Sequence, residues 1–346
     1  MTKRGNITKI NPSKGFPDRE LNRIESKIKE ILIDNQNPKV GEKVVFAPQR
    51  IEGYFRYKDL FQIIPVPATA PKPKVMVADH PSVFQFSYIS CPDMMTELAR
   101  QNEKLTIYIR LLNLFLNVGI TSGSRYTRFF WAIEGEPNNF TSEWKQEGYI
   151  YKSYPRKKDK YTAIEDFQPV RCIHYKDYYS RPSFITSNPL EFPDNLENSF
   201  NLALNLNSTN WKKFFMACSW YYQARNFCNE SDSSGFLALV NAIECLVDEE
   251  RIETCESCGQ PKYSLTKRFK KFLKKYVPFS QKQFPKEIML IYGIRSELSH
   301  GIDLLMRDLQ PWHFAVNTRA EEQDNLRRNL FFITRIAIYN WLWDRS

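Results

Sequence analysis

The chain is poor in glycine, with 12 in 346 residues, and poorer still in histidine, with 4. It has no Gly-rich phosphate loop and no evident cluster of metal-binding carboxylates, features that normally accompany nucleotide transfer or hydrolysis. It has no internal repeat. No apolar run approaches the roughly 20 residues that span a bilayer, and the richest stretch, 111–120, is interrupted by Asn113 and Asn117. The opening Met1-Thr-Lys-Arg-Gly-Asn-Ile-Thr-Lys lacks the apolar core of a signal peptide. Seven cysteines, an odd number without a secretion signal, argue for reduced thiols. A cytoplasmic protein without a membrane partner is therefore expected.

Proline becomes scarce beyond residue 195. Sixteen of the 20 prolines precede Asn195, and Pro189 and Pro193 stand just before a long helical pattern begins. Proline is costly inside helices, so the shift predicts an α+β chain: a mixed, strand-rich domain over 1–195 and an all-helical domain over 196–346. In the first, Lys43-Val-Val-Phe, Tyr54-Phe-Arg-Tyr, Val75-Met-Val and Val83-Phe-Gln-Phe-Ser-Tyr-Ile89 read as strands rich in aromatic and β-branched residues. So do 128–133 and 148–153. The proline-rich 64–73 reads as an extended connector, and 94–118 as one or two helices. Abundant aromatics, 25 Phe, 18 Tyr and 7 Trp, exclude a disordered chain.

What is present, and most informative, is Ile291-Tyr-Gly-Ile-Arg-Ser-Glu-Leu-Ser-His-Gly301. Arg295 offers a fixed positive charge for a phosphate, and His300 can give or take a proton near neutral pH. On an unbroken helix, residues five apart are turned by about 140° and separated by about 7.5 Å along the axis. Gly301 is a helix stop signal, which places His300 at the C-terminal end. There the dipole favours its protonated form, which Arg295 opposes. One Arg and one His make an incomplete site for metal-free RNA cleavage, which needs a base, an acid and cations for the phosphorane charge. Two copies facing each other across a symmetric dimer would complete it.

The region 196–346 resembles the HEPN superfamily, specifically the Apea-like HEPN domains of prokaryotic proteins. The likeness is carried, in order, by a helix with Phe214, Phe215, Ala217, Trp220, Tyr221, Tyr222 and Ala224, and by Leu237-Ala-Leu-Val-Asn-Ala-Ile-Glu-Cys-Leu246. The knuckle Cys255-Glu-Ser-Cys-Gly-Gln-Pro261, the basic helix Leu265–Tyr276 and 291–301 follow. The resemblance implies an all-α HEPN-type bundle and makes Arg-x4-His the ribonuclease motif, here Arg295 and His300. It further implies cleavage leaving a 2′,3′-cyclic phosphate and a 5′-OH, with a role as a toxin or anti-phage defence effector acting on tRNA or other RNA. Where the family often has Asn, Asp or His after the Arg, this chain has Ser296. A catalytically inactive HEPN-type module that binds nucleic acid or protein, or dimerises, is the alternative.

Other residues join the candidate site. Glu244 adjoins the apolar face set by Leu239, Ala242, Ile243 and Leu246; it either orients Arg295 as a third catalytic-site group or is a plain surface residue. In Leu265–Tyr276, Leu265, Phe269, Phe272, Leu273 and Tyr276 form one apolar stripe. Lys267, Arg268, Lys270, Lys271 and Lys274 lie off it, as a solvated face or as an RNA-backbone track. The pair Cys255-x2-Cys258 has the spacing of half a structural zinc site, to be completed by Cys228, Cys245 or a second subunit, or is two free thiols. No cofactor is expected for catalysis. His80, His174 and His313 lack ligand-type neighbours and read as structural.

The net charge of +10 points to an acidic partner, RNA. Residues 1–195 hold 29 basic against 22 acidic groups and 196–346 hold 20 against 17. Most of the surplus therefore lies in the first domain, the expected place for gripping RNA or sensing a phage-derived trigger or regulatory partner. The C-terminal helix, about 321–343, is apolar on more than one stripe, which suggests a homodimer.

Overall fold

The computed structural model describes residues 38–68, 70, 80–91, 93–116, 118–122, 130–131, 145–146, 157–181, 189–228, 230–248, 265–278, 284–309 and 318–345, with Glu20 and Arg23. The protein is α+β. Its strands are β1 (Pro38–Ala47), β2 (Phe55–Tyr57), β3 (Phe61–Pro65), β4 (His80–Ile89), β5 (Phe130–Trp131), β6 (Lys145–Gln146), β7 (Lys157–Lys158), β8 (Cys172–Ile173) and β9 (Phe192–Pro193). The helices are α1 (Met94–Leu116), α2 (Tyr175–Ser180), α3 (Leu196–Leu204), α4 (Ser208–Phe227), α5 (Asp232–Glu244), α6 (Leu265–Tyr276), α7 (Phe284–Ser299), α8 (Met306–Leu309) and α9 (Thr318–Trp343). From Leu196 onward every described element is a helix.

The main sheet has the order β2-β3-β4-β1-β7, with antiparallel neighbours throughout. Strand alternation puts Phe61, Ile63, Phe84, Phe86 and Tyr88 on one buried face. Gly41 lies opposite Phe86, and a Cβ there would come within 2.7 Å of its ring, so the close approach requires glycine. The strands expected around 43–46, 54–57 and 83–89 fall within β1, β2 and β4, apart from Tyr54, which precedes β2. β3 takes in Ile64 and Pro65, which the sequence reading gave to a connector. Pro65 lies past the three-residue β2, at the end of its ladder, where a proline is tolerated. The segments 75–77 and 148–153 lie outside the described residues.

The apolar face of the sheet packs on α1, with the Phe61 and Tyr108 rings 5.0 Å apart. Phe200 of α3 stands 5.0 Å from both Tyr57 and Phe61, and 5.3 Å from Phe115 of α1. One continuous core therefore runs from the sheet through α1 into the helices, across residue 195. On its far side α9 packs against α1, α3, α4, α5, α6, α7 and α8 of the same chain. Leu326, Leu330, Ile333, Ile336, Ile338, Trp341 and Leu342 are all buried there. The many-sided apolar surface of this helix is consumed within one molecule, so its breadth does not call for a second copy.

Candidate functional site

Helix α7 carries the Arg-x4-His motif. Ile288 and Ile291 are buried, and Arg295, one turn beyond Ile291, falls on the same stripe and so faces α5. There its Nη2 donates to Oε2 of Glu244 at 3.2 Å, joining residues 51 apart in sequence. Both side chains keep about a fifth of their surface exposed, 23% for Arg295 and 18% for Glu244. The Arg295 guanidinium also lies 5.7 Å from the centre of the Tyr292 ring, which packs 5.6 Å from that of Phe269 on α6.

The ion pair is only half closed. A side-on fork between guanidinium and carboxylate uses Nε and one Nη against two oxygens. Here Arg295 Nε and Glu244 Oε1, the two atoms the fork would add, are buried and have no hydrogen-bond partner among the described residues. Each such orphan costs about 1–3 kcal/mol against a satisfied pair. Glu244 thus orients Arg295 without locking it.

The stop at Gly301 is a full Schellman motif. Gly301 N–H donates to Leu298 O at 3.2 Å and Ile302 N–H to Glu297 O at 2.9 Å, with Gly301 at φ 66°. His300 is the last residue before the reversal, and its own N–H still bonds Ser296 O at 3.1 Å. Its imidazole is exposed, with no hydrogen-bond partner among the described residues. The exposed face that holds His300 also presents Met289, Leu290, Gly293 and Glu297. Among the described residues nothing lies within 4 Å of a Cβ built on Gly293.

Not every candidate joins this site. Lys267, Lys271 and Lys274 are exposed, and they and Lys270 lie across α6 from the buried Phe269, Phe272 and Leu273. They form a face turned away from Tyr292 and Arg295. Arg268 reaches Asp248 O at 3.5 Å, the outer limit of a hydrogen bond. Cys255, Cys258 and His313 lie outside the described residues. Among the described residues no group of three or more His, Cys, Asp or Glu is placed to hold a metal ion. Cys228, one suggested completing ligand, sits where a Cβ on Gly235 would strike its sulfur, with burial raising its thiol pKa and Arg327 close by. A neighbouring guanidinium does not suit a cation ligand. His80 opens β4 opposite Ala47, and the His174 ring packs 4.7 Å from Tyr175 at the start of α2.

A second cluster, which the sequence did not announce, gathers at the N-terminal end of α5. The Asp308 carboxylate accepts from Asp232 N and Ser233 N, each at 2.8 Å, and from Ser231 Oγ at 2.9 Å. Burial pushes this carboxyl up, but the bonds from Ser233, Asp232 and Ser231 outweigh it and hold it below its ordinary value. Beside it, Asp324 gathers Arg307, Arg327 and Arg328, while Asp232 receives Arg327 at 3.5 Å. Only the N-cap pattern Ser231-x2-Ser234 signals any of this locally.

No protein-family model, curated protein or solved structure matches the chain. Among the described residues, no helix is long and apolar enough to cross a membrane.

Proposed function

We propose that this protein is a metal-independent endoribonuclease of HEPN type, acting as a toxin or anti-phage defence effector on tRNA or other RNA. The observation that carries the reading is the contact of Glu244 with Arg295, one and a half turns before an exposed His300. A cation held by a carboxylate and an exposed imidazole are two of the parts that transesterification by a 2′-OH needs. Arg295 binds the scissile phosphate and stabilises developing charge; His300 transfers the proton.

The second acid or base comes from another copy of the chain. The exposed face of α7 supports this reading. It combines Met289, Leu290 and His300 around Gly293, a helix-interior glycine costing about 0.5–1 kcal/mol that no neighbour in this fold requires. A small residue on an exposed apolar face lets a second helix approach closely, which brings two His300 side chains together.

Cleavage of fluorescent bulk tRNA with chelator present tests the reading. Arg295→Ala and His300→Ala each reduce cleavage by about 10²–10⁴-fold, the range for losing an acid–base or charge-stabilising group. Gly293→Leu separates the dimer in light scattering and lowers cleavage with it. His300→Ala protein that cuts RNA at the wild-type rate would overturn the assignment. RNA binding without cleavage by the wild type would favour a binding module instead.

A further inference from the structure

His300 ends its helix at a glycine, and an exposed turn after a helix is free to fray unless something ties it down. Here the chain that follows is tied at several points. Leu305 is buried, and its N–H donates to Ser233 Oγ at 2.8 Å. Met306 N–H donates to Gln323 Oε1 of α9 at 2.9 Å, and Arg319 holds Asp303 at 2.7 Å. Asp308 closes the strap, taking three hydrogen bonds at the N-terminal end of α5. An anion there also meets the positive end of the helix dipole.

The other end of the same helix carries Glu244, the partner of Arg295. From 232 to 244, α5 measures about 18 Å at 1.5 Å per residue. The chain is therefore referenced to one rigid rod at two places. Arg295 is oriented by the C-terminal end of α5, and the strap just after His300 is pinned to its N-terminal end.

We infer that Asp308 is a positioning residue: by pinning the 303–309 strap to the start of α5, it sets where His300 stands relative to Arg295. The functional part of this inference rests on the ribonuclease reading above. The chemistry makes Asp308→Asn a sharp probe. One carboxylate oxygen takes the Asp232 N–H, and the other takes Ser233 N–H and the Ser231 hydroxyl. Ser231 Oγ in turn accepts from Ser234 N. An amide group in either orientation would set its own N–H against a donor.

Hydrogen exchange read by mass spectrometry, on the full chain, tests the placement without reference to RNA. In Asp308→Asn, amides in 300–306 exchange at least ten times faster, while those in 288–295 keep their wild-type rates. On fluorescent bulk tRNA, kcat falls at least tenfold and KM stays within twofold, because phosphate binding through Arg295 is untouched. Val240→Ala, a buried change in the middle of α5, serves as control: matched in Tm, it keeps kcat. If Asp308→Asn does not fold, Ser233→Ala, which removes the acceptor of Leu305 N–H, shows the same pattern at about threefold. Unchanged exchange over 300–306, or an equal kcat loss in Val240→Ala, would overturn the inference. Wild-type protein that cleaves no RNA sinks the ribonuclease reading alone, and the exchange rates then decide the strap.

Discussion

Two arginines of the same fold have surroundings opposite in kind. Arg335 on α9 is 1% exposed and has no carboxylate in its hydrogen bonds. Its Nε donates to Leu114 O at 3.1 Å and its Nη2 to Phe115 O at 2.9 Å, with the Tyr178 and Tyr179 rings 5.1 and 4.7 Å from the guanidinium carbon. Those carbonyls belong to the last turn of α1, where a helix has orphan acceptors and a negative dipole end. The cation and the helix end answer each other's need across the boundary between strand-rich and helical regions. Arg295, by contrast, is part exposed, holds one oxygen of one carboxylate, and has an orphan Nε. A structural arginine is finished by its fold. The Arg295 guanidinium keeps a buried Nε without a partner among the described residues.

The contrast breaks first at Arg335. Removing the guanidinium strands two buried carbonyls and empties the space between two tyrosine rings. Arg335→Ala should cost about 3–5 kcal/mol, the scale for deleting one partner of a buried charged arrangement. The urea midpoint, followed by circular dichroism, measures it. Arg295→Ala should cost less than about 1 kcal/mol in the same assay. Equal losses at the two positions would mean that Arg295 is as structural as Arg335. The shared core adds a related expectation for 196–346 alone. That fragment lacks Leu114, Phe115 and the sheet beneath Phe200, so it should bind a hydrophobic dye and aggregate where the full chain does not.

The Glu244 contact sharpens the comparison at smaller scale. Glu244→Ala leaves a part-buried guanidinium uncompensated, whereas Glu244→Gln keeps an acceptor for Nη2 and removes only the charge. Stability should fall by about 1 kcal/mol for Ala and by less for Gln. A double-mutant cycle with Arg295→Ala should return a coupling of about 0.5–1 kcal/mol. A coupling near zero would mean that the contact does not orient Arg295.

Much of this site was legible because it is local. The stripe through Ile288, Ile291 and Arg295 and the stop at Gly301 are helix periodicity and capping, which sequence carries within a dozen residues. Glu244 was legible only as a charge at the edge of an apolar face. Its pairing depends on how α5 crosses α7, and no spacing encodes that. The Asp308 cluster joins groups some 75 residues apart and leaves no trace in either segment beyond an N-cap serine. Arg335, set between Thr334 and Ile336, was not legible as a structural centre, because its partners are backbone carbonyls, which no side chain announces. The breadth of α9 was read as a sign of a second subunit. It reflects seven helices of the same molecule, because apolar area says that a surface is covered and not by what.

An effect silent at neutral pH lies in the same junction as Arg335 and appears only in alkali. Tyr178 donates its hydroxyl to Leu116 O at 2.6 Å, completing the cap on α1. Burial pushes its pKa up to about 12, against a lowering from Arg335. An unfolded tyrosine titrates near 10. The folded state thus holds this proton more tightly, so its contribution is fully present below about pH 10 and is lost as pH rises toward 12. Two units correspond to a stabilisation on the order of 2 kcal/mol. Tyrosinate absorbance and the urea midpoint, followed together from pH 9 to 12, should show the loss in the wild type. Tyr178→Phe begins less stable by about 1 kcal/mol for the missing hydrogen bond, yet should lose less over that range. If both proteins fell in parallel, the alkaline limb would belong to other groups, and the junction would rest on Arg335 alone.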